Sequence, residues 1–289
     1  MISRTITVSR HDFPAGDTEG RASRLDKSVR RRIDTLERLP ENLNLAFGTS
    51  LLAAKTHCGS DARAALLPTW EAWVTAMQVG SALFASATSK GDAVECRILH
   101  RVRVLPAVGV QPYTDAGNWL NAFWLAIICR ERGRLTQLAN VPVSLLRESG
   151  AIYDEYVYPW VETLQKWWRE GGELGDLLLA AVQGTDPDLL HVAEKDLVPK
   201  IEYPAMNLFV HYITEDPDRF NEALTDALNW HKSYWTEDEE RQSNSSGLVA
   251  LAPLALTCLA HDAGFPIDVE SEYLPKHLLE GGWVGEYPT

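Results

Sequence analysis

Apolar residues that recur at helical spacing constrain this chain more than any other feature. Leu25, Val29, Ile33 and Leu36 follow one another at steps of four, four and three residues, which places them on one face of a helix. Similar helical patterns return in segments 67–87, 116–133, 153–172, 173–184, 204–216, 216–235 and 246–264, and residues 186–201 read as a further short helix. We therefore expect a mainly α protein, a multi-helix array of packed helix pairs.

Polar residues mark the ends of several of these helices. The Asp-Pro pair at 216–217 predicts a helix start, because Asp caps free backbone N–H groups and Pro fits the first helical position. Thr114 or Asp115 marks a second start, and Asp61 is predicted to cap the helix that includes residues 67–87. Gly133 is a predicted C-terminal stop, since glycine readily takes the left-handed conformation there.

One stretch departs from the helical period. Between residues 93 and 105, Val94, Cys96 and Ile98 begin an alternation with charged neighbours that continues through Val102 and Val104. A period of two predicts a β-strand or small hairpin. The segment "TITVS" near the start is a candidate to pair with it.

Length and charge describe the chain as a whole. Its 289 residues hold no long Pro/Gly/Ser-rich linker, so we predict one helical domain spanning 1–289. Residues 1–149 carry 19 Lys/Arg and 14 Asp/Glu, a basic-leaning half, whereas residues 150–289 carry 8 and 26, a net charge of −18. The acidic half disfavours nucleic acid as a partner and favours a basic protein. A merely solvated acidic surface is the alternative.

Cellular location and cofactors follow from what the sequence lacks. The first residues show no apolar signal core, and no apolar run reaches the ~20 residues of a membrane helix, so we expect a cytoplasmic protein that does not bind membranes. Cys58, Cys96, Cys129 and Cys258 are far apart and lie among apolar neighbours, which predicts buried thiols. We expect no metal and no organic cofactor.

Two histidine pairs are the candidates for chemistry. His191 and Glu194 have a spacing that could direct both at a metal from one helix, and His261 stands beside Asp262 as a base and its orienting group. The first lacks a second ligand pair and the second lacks a visible nucleophile. We therefore expect a protein that is not an enzyme, with an enzyme of unknown type using either pair as the alternative.

Acidic residues beside aromatic ones are the candidates for partner binding. The C-terminal half has two dense acidic points, and the second follows a tryptophan, which combines an aromatic anchor with charged neighbours. The predicted partner-binding residues are Asp154, Glu155, Trp235, Glu237, Asp238, Glu239 and Glu240. The alternative for the run at 237–240 is the first turn of a helix capped by Thr236.

Several long segments resemble a known protein family. They include "YTDAGNWLNAFWLAIICRERGRL", "YDEYVYPWVETLQ", "FNEALTDALNWHKSYWTEDEE" and "GLVALAPLALTCLAHDAGFPIDVESEYLPKHLLEGGWVGEYP". In this order they are similar to the immunity-forty-nine family of bacterial polymorphic toxin systems, from about residue 90 onward. The resemblance implies a helical, cytoplasmic, non-enzymatic immunity protein that neutralises a cognate toxin by binding it.

The resulting hypothesis is a toxin inhibitor whose acidic face occludes a basic site on the toxin. A helical-repeat scaffold without a toxin partner is a further alternative, and the oligomeric state stays open. The aromatic-rich tail, residues 271–289, belongs to the resemblance, so we expect it to be docked through Tyr273, Leu278 and Trp283 rather than frayed.

Overall fold

Helices carry almost the whole fold. The computed structural model describes residues 5–14, 16, 18–170, 172–286 and 289, with the side chain of residue 170 outside this set. The helices in this part are α1 (Thr18–Ile33), α2 (Leu43–Ser60), α3 (Leu67–Thr88), α4 (Ala116–Ile128), α5 (Arg132–Ala139), α6 (Val143–Glu148), α7 (Val157–Glu170), α8 (Gly175–Gln183), α9 (Tyr203–Ile213), α10 (Pro217–Trp235), α11 (Glu239–Gln242), α12 (Leu251–Asp262) and α13 (Lys276–Leu279). The mainly α prediction is confirmed.

The strands are short and form two separate pairs. In the first, β2 (Ala93–Ile98) runs antiparallel to β3 (Arg101–Pro106), which confirms the predicted hairpin. In the second, β1 (Ile6–Thr7) runs parallel to β4 (Val269–Glu270). The predicted pairing of "TITVS" with the hairpin is therefore wrong. An alternating pattern shows that a segment is extended, but it carries no information about a partner 263 residues away.

Two predicted helix starts agree with the structure. The carboxylate of Asp216 accepts a hydrogen bond from the backbone N–H of Arg219 at 3.1 Å, and Asp115 accepts from Asn118 at 2.9 Å. Each satisfies a backbone donor that the first turn of a helix leaves unpaired. In each case the capping side chain and the N–H group lie three residues apart, so the sequence alone predicts the helix start.

Two other predicted helix ends are wrong. Asp61 ends α2 instead of capping α3, although its carboxylate accepts from the N–H groups of Ala65 and Leu66 just before α3 begins. Gly133 lies inside α5, and the chain turns out of α4 at Arg130, which takes the left-handed conformation at φ 57°. The contacts of the Arg130 side chain, described below, hold this unfavourable backbone in place.

The segment 186–201 is not the helix that its pattern predicts. It forms a 3-10 turn at Pro187–Leu189, continues through bends, and enters a π-helical turn at Val198–Glu202 that leads directly into α9. The backbone N–H groups of residues 191–193 donate to the carboxylate of Asp154 instead of to carbonyls of a preceding helical turn.

The core is centred on α4 and α12. These helices pack against each other, α3 also packs on α4, and α9 also packs on α12. A continuous cluster of buried apolar residues runs from Val8 to Leu279, and Trp73, Trp119 and Trp160 are among its largest fully buried side chains. All four cysteines are buried and unpaired, as predicted, and burial raises the pKa of each thiol.

One apolar segment has the length and composition of a membrane-spanning helix. It covers Ser245–Asp262, and 72% of it is buried inside the fold. This segment contains α12, so its contacts with α4 and α9 account for its apolar composition.

The tail is docked against the fold, as expected. Tyr273 and Leu278 are fully buried, and the Tyr273 hydroxyl lies 2.7 Å from Nδ1 of His11. The indole N–H of Trp283 donates to the Ala64 carbonyl at 2.9 Å. Tyr287 lies outside the described residues.

The guanidinium of Arg130 also holds the tail in place, at the end of α13. It donates to the carbonyls of Leu278 and Leu279, both at 2.6 Å, and to both carboxylate oxygens of Asp262 at 3.0 and 3.1 Å. One side chain thereby connects the end of α4, the end of α12 and the carbonyl end of α13.

Candidate partner-binding surface

Asp154, the first predicted contact residue, is buried and has a structural role. Its carboxylate accepts hydrogen bonds from the backbone N–H groups of His191, Val192 and Ala193 at 2.7 to 3.1 Å. Burial opposes ionisation, but these three donors outweigh it and hold the pKa of Asp154 below its usual range. The carboxylate is therefore unavailable to a partner.

Glu155, its neighbour, is exposed but already paired. Its two oxygens accept from Arg147 at 2.8 Å each, and the guanidinium of Arg147 stacks 3.7 Å from the ring centre of Tyr158. The hydrogen bonds from Arg147 hold the pKa of Glu155 below its usual range. The side chain of Glu155 is 78% exposed, so water screens this pair and a partner could compete for either member.

Trp235 does not form the exposed anchor that the sequence suggested. Its ring packs on the backbone of Gly247, where an added Cβ would lie 2.6 Å from the indole. The indole nitrogen is buried and has no hydrogen-bond acceptor among the described residues. On the same helix, α10, Trp230 is 50% exposed and is the tryptophan that a partner can reach.

The acidic run at 237–240 divides into two parts. Glu237 pairs with Lys200 at 2.8 Å, and Asp238 caps α11 by accepting from the N–H of Arg241 at 2.8 Å. Thr236 does not cap this helix; its hydroxyl donates back to the carbonyl of Lys232. The carboxylates of Glu239 and Glu240 make no hydrogen bond or ion pair within the described chain.

Further carboxylates join this run through Arg241. Its guanidinium contacts Asp196 at 2.6 Å and Glu194 at 3.0 Å, and it stacks on the ring of Tyr234. We call the resulting patch the acidic surface, and it consists of Glu194, Asp196, Glu237, Asp238, Glu239 and Glu240. Among the described residues its six carboxylates pair with only two cations, Lys200 and Arg241, so the patch stays strongly negative.

An open groove borders the acidic surface. It has a volume of about 640 Å³ and is lined by Asp12, Phe13, Glu239 and Glu240 among others. The carboxylate of Asp12, like those of Glu239 and Glu240, has no side-chain partner in the part of the chain that is described. Sequence reasoning missed Asp12 and Phe13, because more than 220 residues separate them from Glu239.

The comparison with known families decides what kind of protein this is. The model of the family described as Immunity protein 49 matches residues 61–278, which is most of the chain. The chain belongs to the Immunity protein 49 family. No curated protein and no solved structure matches it. Membership makes it an immunity protein, which implies a toxin partner and a non-enzymatic role.

In this immunity protein the two histidine pairs are engaged in structural contacts. His191 and Glu194 lie in bends instead of on a helix, and Glu194 pairs with Arg241. Asp262 is held by Arg130, which leaves it a weak partner for His261 at 3.3 Å. Within the described residues, no group of three or more His, Cys, Asp or Glu side chains is placed to hold a metal. The structure therefore does not place His191 and Glu194 on one helix, and it keeps His261 and Asp262 in contact at 3.3 Å.

Proposed function

We propose that this immunity protein neutralises a cognate toxin in the cytoplasm by binding it directly, with the acidic surface placed over a basic site on the toxin. The observation that carries the proposal is the groove where Asp12, Glu239 and Glu240 present carboxylates that make no ion pair within the described residues. Such carboxylates are solvated in the free protein and gain ion pairs when a basic surface approaches.

Electrostatics gives this surface two roles. The net charge of −18 on residues 150–289 steers a basic partner toward the acidic half, which raises the association rate at low salt. The carboxylates at the groove then select the orientation in which cationic side chains meet them. Since exposed charges act mainly on the association rate, affinity needs an apolar anchor as well.

Trp230 supplies that anchor. Tyr234 follows it at four residues on α10, so the two lie on one face of the helix, and Arg241, which pairs with the acidic surface, stacks on Tyr234. A half-exposed tryptophan beside a charged rim is the arrangement from which interface hot spots are built. Phe13, partly exposed in the groove, offers a second aromatic surface to cationic side chains.

The test compares two double charge reversals with the same change of net charge. Glu239→Lys with Glu240→Lys alters the groove, while Glu173→Lys with Glu222→Lys alters exposed acids that make no ion pair in the described chain. Glu237 and Asp238 are left intact because their reversal would break the contact with Lys200 and the cap of α11. The partners for the test are candidate toxin domains sought among the genes that neighbour this one.

We expect the groove reversal to slow association by about 10-fold or more at low ionic strength and to flatten its salt dependence. The control reversal should have a smaller effect, and both variants should unfold at the same temperature as the wild type. Equal association rates for the two variants would place the toxin elsewhere. A chain that binds none of the neighbouring toxins would contradict the proposed function itself.

A further inference from the structure

A cleft lined by Trp235 contains two charged side chains, Lys55 and Glu202, that form no ion pair within the described residues. It has a volume of about 210 Å³ and lies between α2, α4, the π-helical turn, α10 and the start of α12. We call it the central cleft. Its polar lining includes Lys55, Glu202, His231 and Trp235, and its apolar walls include Leu120 and Trp124.

The two charges in the central cleft do not neutralise each other. Lys55 and Glu202 form no ion pair, and the carboxylate of Glu202 makes no hydrogen bond within the described residues. The ammonium of Lys55 donates only to the Ser246 carbonyl, at 3.2 Å, among the acceptors described. Burial lowers the pKa of Lys55 to about 8 and raises the pKa of Glu202 to about 7, so both charges lack compensation.

Uncompensated polar groups of other kinds line the same space. The buried indole N–H of Trp235 has no acceptor among the described residues, and α12 begins at the cleft with no side-chain cap for its first N–H groups. Glu202 ends a π-helical turn, a rare conformation that occurs frequently at functional sites. His231 stays neutral, because burial lowers its pKa to about 3, and its Nε2–H donates to the Gly247 carbonyl.

We propose that the central cleft binds a small zwitterion of amino-acid size. The ammonium of the ligand pairs with Glu202, and its carboxylate pairs with Lys55 and accepts from the indole N–H of Trp235 and the start of α12. The apolar part lies against Leu120 and Trp124. A ligand with only a negative charge would pair with Lys55 and leave Glu202 without a partner. A ligand with only a positive charge would pair with Glu202 and leave Lys55 without one. The structure therefore points to one molecule that carries both charges.

The cleft's second lysine does not alter this assignment. Lys200 also lines the cleft, but its ammonium is held by Glu237 at 2.8 Å and Asp196 at 3.4 Å. It belongs electrostatically to the acidic surface, whereas Lys55 has no carboxylate within ion-pair distance among the described residues. The two sites thus meet at Lys200 and Trp235 but have different ligands.

The test uses leucine and two analogues that each keep one charge, leucinamide and 4-methylpentanoate. Binding is followed by tryptophan fluorescence, because Trp124, Trp160 and Trp235 line the cleft, and by thermal shift. Glycine and phenylalanine serve as smaller and larger zwitterions. We expect leucine to bind about 10-fold or more tightly than either analogue, as for the loss of one charged partner.

Variants assign the two charges. Glu202→Gln should abolish the preference for leucine over 4-methylpentanoate, and Lys55→Met should abolish its preference over leucinamide. Glu173→Gln, which replaces an exposed acid that does not line the cleft, should change neither preference. Each variant's circular dichroism and melting temperature are compared with those of the wild type, so a loss of fold is distinguished from a loss of binding.

Three results would overturn the assignment: no saturable signal with any of the three amino acids, the same affinity for leucine as for either single-charge analogue, or unchanged selectivity in both variants. The assay contains no toxin, so failure here leaves the proposed toxin-binding function untouched. Conversely, a missing toxin partner would not affect the titration.

Discussion

Replacement of Arg130 by Met should loosen the tail from the body of the protein. Arg130 makes hydrogen bonds to the carbonyls of Ile128, Leu278 and Leu279 and to the carboxylate of Asp262, and its side chain is only 15% exposed. Methionine keeps the β-carbon and the apolar stem, so backbone strain at φ 57° is present in both proteins and cancels in the comparison.

The magnitude follows from what is left unpaired. A hydrogen bond from a charged donor contributes about 1.5–3 kcal/mol, and such contributions do not add fully when one group makes several. Asp262 is 46% exposed and regains water, so most of the loss comes from the carbonyls of Leu278 and Leu279. We expect the free energy of unfolding to fall by roughly 3–4 kcal/mol.

Urea unfolding measures the total effect, and hydrogen exchange locates it. The amides of Leu279, Glu280 and Gly282 are hydrogen-bonded in the wild type and should exchange faster in the variant. Arg132→Met is the matched control, because Arg132 is exposed and, within the described residues, its guanidinium stacks only on Trp168, 5.2 Å from the ring centre; it should cost less than about 1 kcal/mol. If both variants lose the same stability and the tail amides stay protected, apolar contacts alone hold the tail and the reasoning is wrong.

Two further predictions concern buried carboxyl groups. Asp154→Ala should lower the free energy of unfolding by about 2 kcal/mol because three backbone N–H groups lose their acceptor, whereas Glu155→Ala, one residue along, should cost less than about 1 kcal/mol in the same urea titration. Burial raises the pKa of Glu202 from 4.5 to about 7, so the native state resists an ionisation that the unfolded chain undergoes, and stability is lost as pH rises through this window. The free energies of unfolding of Glu202→Gln and wild type should therefore coincide below pH 4.5 and diverge between pH 4.5 and 7, until the variant is more stable by about 3 kcal/mol; a constant difference across pH would contradict the assignment.

Local sequence patterns predict most of the helices. Where a helix end or path depends on a residue distant in sequence, tertiary contacts determine it. Asp216 and Asp115 cap helices because everything they need lies within three residues. Asp61 has the same chemistry, but its carboxylate reaches forward to residues 65 and 66 while its backbone ends α2. Residues 191–193 leave the helical path to satisfy Asp154, 37 to 39 positions earlier in the chain.

The candidate partner-binding surface also combines features visible in the sequence with features that arise only on folding. The run Glu237 to Glu240 is visible in the sequence, but its neutralisation by Lys200 and Arg241 and its extension by Glu194 and Asp12 arise from folding. The burial of Trp235, in contrast, can be predicted from the sequence. Trp235 follows Leu228 at seven residues and His231 at four, so helical spacing assigns it to the buried stripe of α10 and leaves Trp230 on the outside.

The parallel pairing of β1 with β4 determines when this protein can complete its fold during synthesis. Ile6 bonds to residue 268, and His11 to Tyr273, 262 positions later. Both partners are synthesised 262 residues later, so the segment that contains Val8 and His11 stays unpaired while α1 to α12 are made. Closing so distant a contact is slow, and until it closes the groove beside Asp12 lacks one wall. A chain that lacks β4 would therefore carry the charged residues of the acidic surface without the assembled groove.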